Sequence, residues 1–329
     1  MSDQEIKVNN LVVSNSPHIQ LTSDHIVKRM WATVIALVPA GIAGVYIFGL
    51  SSLYVICVSI VTALLTEYAC QRVRGKKTTL LDGSALITGI LLAYNLPPEV
   101  PMWIVIVGSF FSVFVGKQLF GGLGFNIFNP ALVGRAFLMA SWPKYMTAWS
   151  NPRWQVDAVT TATPLGIVKE NLPFDLPNYW NLFIGNRAGC IGEICIAALL
   201  LGGLVLLFMR YISWQIPVGY IATVGALSFV FGKSGFFTGD ALFAVLSGGL
   251  ILGAFFMATD YVSAPITQKG KTIFAIGCGI LTFVIRKWGG YPEGVSYAIL
   301  IMNAATPMID RFTRPRKYGQ MTSPKGGGI

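Results

Sequence analysis

The chain has 329 residues, a formal net charge of +10, 54% hydrophobic residues and only 12% charged ones, about half the charged share of a soluble domain. Mean hydropathy is +0.63, and apolar runs long enough to cross a bilayer recur along the chain. That pattern excludes a soluble enzyme and sets the class: an all-α polytopic membrane protein.

The basic excess does not point to nucleic acid. It gathers at the ends of apolar runs, at Lys28 and Arg29, in "RVRGKK" at 72–77 and in "RFTRPRK" at 311–317. There it orients spans and meets anionic lipid headgroups.

Residues 1–29 are polar and lack the basic-then-apolar order of a secretory signal, so they read as a cytoplasmic arm. Both histidines, His18 and His25, fall in that arm, so no predicted span offers a histidine ligand to haem. Five spans follow near 30–50, 52–70, 80–96, 101–118 and 130–142, making 30–142 a first five-helix repeat. A longer polar interruption covers 143–189. Five more spans near 190–209, 214–232, 239–258, 271–286 and 294–310 form a second repeat over 190–310, and 311–329 is a basic cytoplasmic tail. With the N-terminus inside, most of the 24 Lys and Arg fall on the cytoplasmic side and 143–189 falls outside.

The halves echo one another. "LLDGSALITGILLAYNLPPEVP" (80–101) and "TGDALFAVLSGGLILGAFFMATDYVSAP" (238–265) share an acidic start, small residues and a proline exit. Residues 121–138 and 289–307 both open on paired glycines. An odd number of spans per half makes the two repeats inverted, a build that places binding sites at broken helices.

Inside the first repeat, "KQLFGGLGFNIFNPALVGRAF" crowds glycines, two asparagines and a proline around a membrane boundary. Glycine lets backbone approach a ligand closely, and Asn129 before Pro130 reads as a helix start whose free N–H groups favour an anion. Cys57, Cys70, Cys190, Cys195 and Cys278 fall singly, without metal-ligand spacing; they read as small packing residues, and no metal is expected.

Charges inside spans need partners. Arg135 is the clearest case, with a bound phosphate or an acidic side chain as its candidate partner. The acidic candidates are Glu67, Asp82, Glu193, Asp240 and Asp260. Glu67 and Glu193 lie in the most apolar surroundings and are the candidates for an ion path.

The stretch "VDAVTTATPL" (156–165) clusters Asp157, Thr160, Thr161 and Thr163 ahead of Pro164. Read from the residues alone, Thr163 is a helix N-cap. The stretch also resembles the flavinylation motif, roughly D-x-x-(S/T)-G-A-T, of the RnfD and NqrB subunit family. Asp157, Thr160, Ala162 and Thr163 match; Thr161 stands where glycine is usual. "SPHI" at 16–19, "FFMATDYVSAPIT" and "GGYPEGVSYAILIMNAATPMIDR" resemble further family blocks in family order, and the short N-terminal arm points to the RnfD branch.

The resemblance implies FMN joined to Thr163 by a phosphoester, added by an external flavin transferase. Arg135 and Asn129 are the other candidates for cofactor contact, Trp142, Trp149 and Trp154 are candidates to cover the flavin ring, and a non-covalent second flavin such as riboflavin is implied. It further implies a subunit of an ion-translocating oxidoreductase in a bacterial or archaeal cytoplasmic membrane, coupling ferredoxin oxidation and NAD reduction to Na+ or H+ export. Its partners would be RnfA, RnfB, RnfC, RnfE and RnfG, because this chain has neither an iron–sulfur ligand set nor a nucleotide fingerprint. No residue is expected to be catalytic alone. The alternatives are an NqrB-like subunit of a sodium-pumping quinone reductase and a flavin-free secondary transporter.

Overall fold

The computed structural model describes residues 23–154, 163–170, 172–173, 176–232 and 235–314. Among them every named element is helical, apart from one isolated β-bridge between Phe231 and Phe236. The multi-pass helical architecture expected from composition is what forms.

The first repeat comprises α1 (Ser23–Phe48), α2 (Leu50–Val73), α3 (Ser84–Tyr94), α4 (Met102–Val113, continued by a π turn Phe114–Gln118) and α5 (Pro130–Ser141). The segment between the repeats carries three short helices, α6 (Pro143–Met146), α7 (Pro164–Glu170) and α8 (Tyr179–Ile184). The second repeat comprises α9 (Ile196–Phe208), α10 (Gln215–Val230), α11 (Ala241–Leu246), α12 (Leu250–Leu252, continued by a π turn Gly253–Met257), α13 (Gln268–Trp288) and α14 (Val295–Phe312).

Two boundaries differ from the sequence reading. The first span begins at Ser23, so His25 joins the helix instead of the polar arm. The span expected at 190–209 starts helically only at Ile196, because 190–195 folds as a tight turn.

Three described helices are long and apolar enough to cross a bilayer unaided: Ile26–Phe48, Leu50–Val73 and Gln268–Trp288. The others are shorter. At 1.5 Å per residue, α3 and α5 rise only about 16–18 Å, roughly half of a 30 Å hydrocarbon layer. The long helices take the lipid: Ile35, Ile42, Leu50 and Leu65 are each more than 60% exposed. Among the short ones α3 is sheathed by protein, with nine of its eleven residues buried. Backbone ends at membrane depth are tolerable only in that setting.

The two halves pack alike. In the first, α2 lies on α3 and α4, and α4 lies on α5; in the second, α10 lies on α11 and α13, and α13 lies on α14. Across the interface α1 meets α9 and α5 meets α14, so first pairs with first and fifth with fifth. A two-fold relation between repeats produces that pattern. The α1–α9 contact depends on a missing side chain, since a methyl group at Gly202 would stand 1.9 Å from the Ala36 carbonyl oxygen. Small residues let helices approach this closely where lipid gives no hydrophobic drive.

Candidate functional site

Thr163 is buried and stands immediately before α7. Its Oγ1 accepts the Gly166 N–H at 3.2 Å, and its carbonyl accepts the Ile167 N–H at 2.9 Å. This is the N-cap that the residue order calls for. Asp157, Thr160, Thr161 and Ala162 lie outside the described residues.

What holds α7 in place lies in the second repeat. Lys169 Nζ donates to the Gly289 and Tyr291 carbonyls at 2.5 and 2.7 Å, clasping the loop after α13. Burial among these groups pushes the Lys169 ammonium below its ordinary pKa. On the other side, Leu165 rests against Gly248, where an added methyl group would come within 2.7 Å of Leu165 Cδ1. Gly248 also has a φ of +69°, a conformation that glycine adopts at little cost. Gly248→Ala is therefore expected to destabilise this contact by about 1–3 kcal/mol and to speed limited proteolysis within 143–189. An unchanged cleavage rate would remove the docking role.

Gly248 is the break in a discontinuous helix. The span expected over 239–258 is split at Ser247–Gly249 into α11 and α12. Its freed carbonyls meet charges of the proper sign. Arg187 Nη1 donates to the Leu246 carbonyl at 2.8 Å; Arg286 donates to the Ala244 and Ser247 carbonyls at 2.6 and 3.1 Å. Two guanidiniums thus cap the C-terminus of α11. At the opposite face Glu193 stands by the start of α12, its Oε2 2.7 Å from where a Cβ on Gly249 would be.

Arg135 of α5 completes this nest. Its Nη2 pairs with Glu293 Oε2 at 2.5 Å, and its Nη1 donates to Asn95 Oδ1. Cys190 donates its backbone N–H to Glu193 Oε1 at 3.0 Å and its thiol to the Asn95 carbonyl at 3.3 Å. The partner of Arg135 is acidic, as one of the two expectations had it, but it is Glu293 and none of the five carboxylates singled out.

The other candidates are scattered. Asn129 caps α5, accepting the Ala131 N–H at 3.1 Å, and donates to the Met257 carbonyl at 3.2 Å. It lines a cleft with Arg29, Thr88, Asn126, Phe255 and Asp260. That cleft is built from the segments expected on the cytoplasmic side, at the other end of the bundle from α7. Glu67 is buried on α2, where its Oε1 takes Lys117 Nζ at 2.6 Å, Gln118 Nε2 at 3.0 Å and Gln71 Nε2 at 3.2 Å. Trp142 packs edge-on against Trp103 and Phe137, and Trp149 is buried beside Ala188 and Cys190. Trp154 alone of the three is substantially exposed, at 45%, next to Tyr46.

A sequence model of the NQR2, RnfD, RnfE family matches residues 12–319. The chain belongs to the NQR2, RnfD, RnfE family. Among curated relatives, it is 50% identical over 329 residues to the D subunit of the proton-translocating ferredoxin:NAD(+) oxidoreductase complex of Clostridium ljungdahlii, covering 97% of this chain and 99% of the relative. It is 47% identical to the D subunit of the Na(+)-translocating ferredoxin:NAD(+) oxidoreductase complex of Acetobacterium woodii, covering 94% and 96%. It is 42% identical to the D subunit of the ion-translocating oxidoreductase complex of Stutzerimonas stutzeri, covering 89% and 92%.

Within this member of the NQR2, RnfD, RnfE family, reading the sequence missed Lys117, Arg187, Arg286 and Glu293. Each falls at or beyond the end of a predicted span. The available signal was charge balance: Arg135 inside a membrane demands an acid, and Glu67 demands a base.

Proposed function

We infer that this chain is the D-type membrane subunit of an Rnf-type ion-translocating ferredoxin:NAD+ oxidoreductase, and that Thr163 carries its FMN. The observation that carries the reading is the end-to-end match to D subunits of such complexes in three organisms. The position of Thr163 supports it, at the head of a helix clasped by the ends of α11 and α13. Such a group supplies one- and two-electron transfer when bound, without catalysis by this chain alone.

The residues present fit the attachment. Among the described residues Thr163 Oγ1 is engaged as an acceptor, from Gly166, and an ester oxygen still accepts, so the cap and the bond are compatible. Asp157, Thr160, Thr161 and Ala162 supply the recognition stretch for a flavin transferase, and Trp154 with Tyr46 offers an exposed aromatic face on the outer side. Arg135 is committed to Glu293 and Asn95, which leaves it a structural part in this account.

Riboflavin or a like non-covalent flavin is assigned to the inner cleft. Thr88, Asn126, Asn129 and Asp260 bring hydrogen-bonding groups there, and Phe255 and Phe256 bring apolar walls.

Ferredoxin and NAD are handled by the partners RnfA, RnfB, RnfC, RnfE and RnfG in a bacterial or archaeal cytoplasmic membrane. Glu67 and Glu193 belong to the ion path of the complex. Relatives named for protons and for sodium are 50% and 47% identical to the chain, so overall identity does not select between H+ and Na+.

The test is the intact mass of the chain purified from its native host, followed by peptide mapping. The expected result is one FMN phosphoester mass on the peptide bearing Thr163. An unmodified chain from cells that contain the transferase overturns the electron-carrying reading and favours the flavin-free transporter.

A further inference from the structure

The arginine nest contains two carboxyl groups in unequal circumstances. Glu293 has a cation, Arg135, on its Oε2, while its Oε1 is buried without a hydrogen-bond partner. Glu193 is 2% exposed and its Oε2 is likewise buried and unpartnered. Its Oε1 receives only a backbone N–H, from Cys190. The ion pairs among the described residues are Lys117–Glu67 and Arg135–Glu293, so the Glu193 carboxyl group has no ion pair; the nearest guanidinium contact is from Arg187 Nη2 to the Glu193 backbone carbonyl at 3.1 Å. One carboxylate oxygen from each glutamate and the Cys190 sulfur all lie within 4.8 Å of one another.

The charged and titratable neighbours have other partners, the buried Arg286 Nε excepted. Arg187 and Arg286 are held on the carbonyls of the broken helix. Arg135, from α5, is on Glu293 and Asn95, and the Cys190 thiol is on the Asn95 carbonyl. Tyr220 of α10 bonds Thr282, Tyr297 of α14 stacks on Tyr291, and Lys169 of α7 is on the loop after α13.

An ionised carboxylate in that position bears the desolvation penalty of a buried charge and faces a second carboxylate, and these two effects outweigh the opposing attraction of Arg135 and Arg187. A proton on Glu193 removes both terms at once. It also turns Oε2 into a donor close to a carboxyl group with an oxygen that lacks one, since the two glutamates bring carboxylate oxygens within 4.8 Å of each other. A single proton satisfies two orphaned oxygens and leaves Glu293 ionised for Arg135.

We propose that Glu193 and Glu293 form a buried proton-binding site in which Glu193 holds one proton at neutral pH and donates it in a hydrogen bond to Glu293. The site lies at the break of the α11–α12 helix, separated from α7 by Gly248, against which both Leu165 and Arg286 rest. It stands whether or not Thr163 carries a flavin. A bound metal is the competing occupant of the same three groups. A divalent ion would require the Cys190 thiolate and would place two positive charges beside three guanidiniums where a proton places one, so the charge arrangement favours the proton.

The experiment is infrared spectroscopy of the full chain, purified from native membranes with its accompanying subunits. At neutral pH the wild type should show a carboxylic-acid carbonyl band that shifts in D2O and disappears in Glu193→Gln. Glu293→Gln should retain the band at a shifted frequency, because Glu193 has lost its charged acceptor. Glu193→Gln should unfold at the wild-type temperature, since glutamine is a neutral donor of the same shape. Thr163→Ala should retain the band unchanged, which separates this proposal from the flavin reading.

A spectrum in which Glu193→Gln removes no protonated band overturns the proposal. So does loss of the wild-type band on adding Na+ or Zn2+, or stoichiometric metal in the purified chain that disappears in Glu193→Gln.

Discussion

Replacing Thr163 by alanine is expected to abolish flavin fluorescence from the denatured chain completely while leaving the chain folded in the membrane. The measurement is in-gel fluorescence under ultraviolet light after denaturing electrophoresis, normalised to protein. Complete loss follows because an ester needs the hydroxyl oxygen and alanine has none. Folding is expected to survive because the structural part of Thr163 is one cap bond to Gly166, worth about 1 kcal/mol. Thr163→Ser keeps both the oxygen and the cap, and should keep fluorescence. Thr161→Ala should keep it as well, since Thr161 occupies the motif's glycine position. Fluorescence that survives in Thr163→Ala would move the attachment elsewhere, and its loss in Thr161→Ala alone would move it to Thr161.

The legible part of this fold was its periodicity. Ten apolar runs in two sets of five were visible in the residues, and the packing of α1 on α9 and α5 on α14 accords with that division. The proline and glycine interruptions also marked where backbone would end within the bundle. Asn129–Pro130 starts α5 with a side-chain cap, whereas Gly248–Gly249, which divides α11 from α12, lies inside a span read as continuous. A hydropathy window could not foresee that split, because 239–258 is apolar almost throughout and the break depends on two distant arginines receiving the freed carbonyls.

The site was legible one residue at a time and not as an assembly. Thr163 stood out through local residue order, which is how capping works. Arg135 stood out through the cost of its environment. Glu293 did not, although only an acid can answer Arg135 in that position, because 158 residues separate them and the inverted packing of α5 against α14 brings them together. Asn129 and Thr163 were grouped by chemistry, as groups suited to an anion. They stand at opposite ends of the bundle, since α5 runs away from the inner cleft toward the segment between the repeats.

The Glu67–Lys117 pair gives the second large effect, on stability. Lys117 comes from the π turn that ends α4, and besides Glu67 its ammonium reaches Ser84 Oγ at 2.6 Å, so one cation ties α2, α3 and α4 together. Both side chains are at most 2% exposed. Lys117→Met is expected to destabilise the chain by about 3–5 kcal/mol, because the loss of one partner strands a buried carboxylate. Thermal unfolding in detergent would register this as a clear fall in midpoint. Adding Glu67→Gln to Lys117→Met removes the stranded charge and should recover most of the loss, since buried pairs replaced at both ends are often nearly neutral. The double variant also separates the two parts Glu67 can play. If the carboxylate serves only to pair with Lys117, the recovered protein should translocate ions at the wild-type rate in reconstituted vesicles. If Glu67 belongs to the ion path, stability returns and ion movement does not, because glutamine keeps the shape but neither binds a cation through charge nor exchanges a proton.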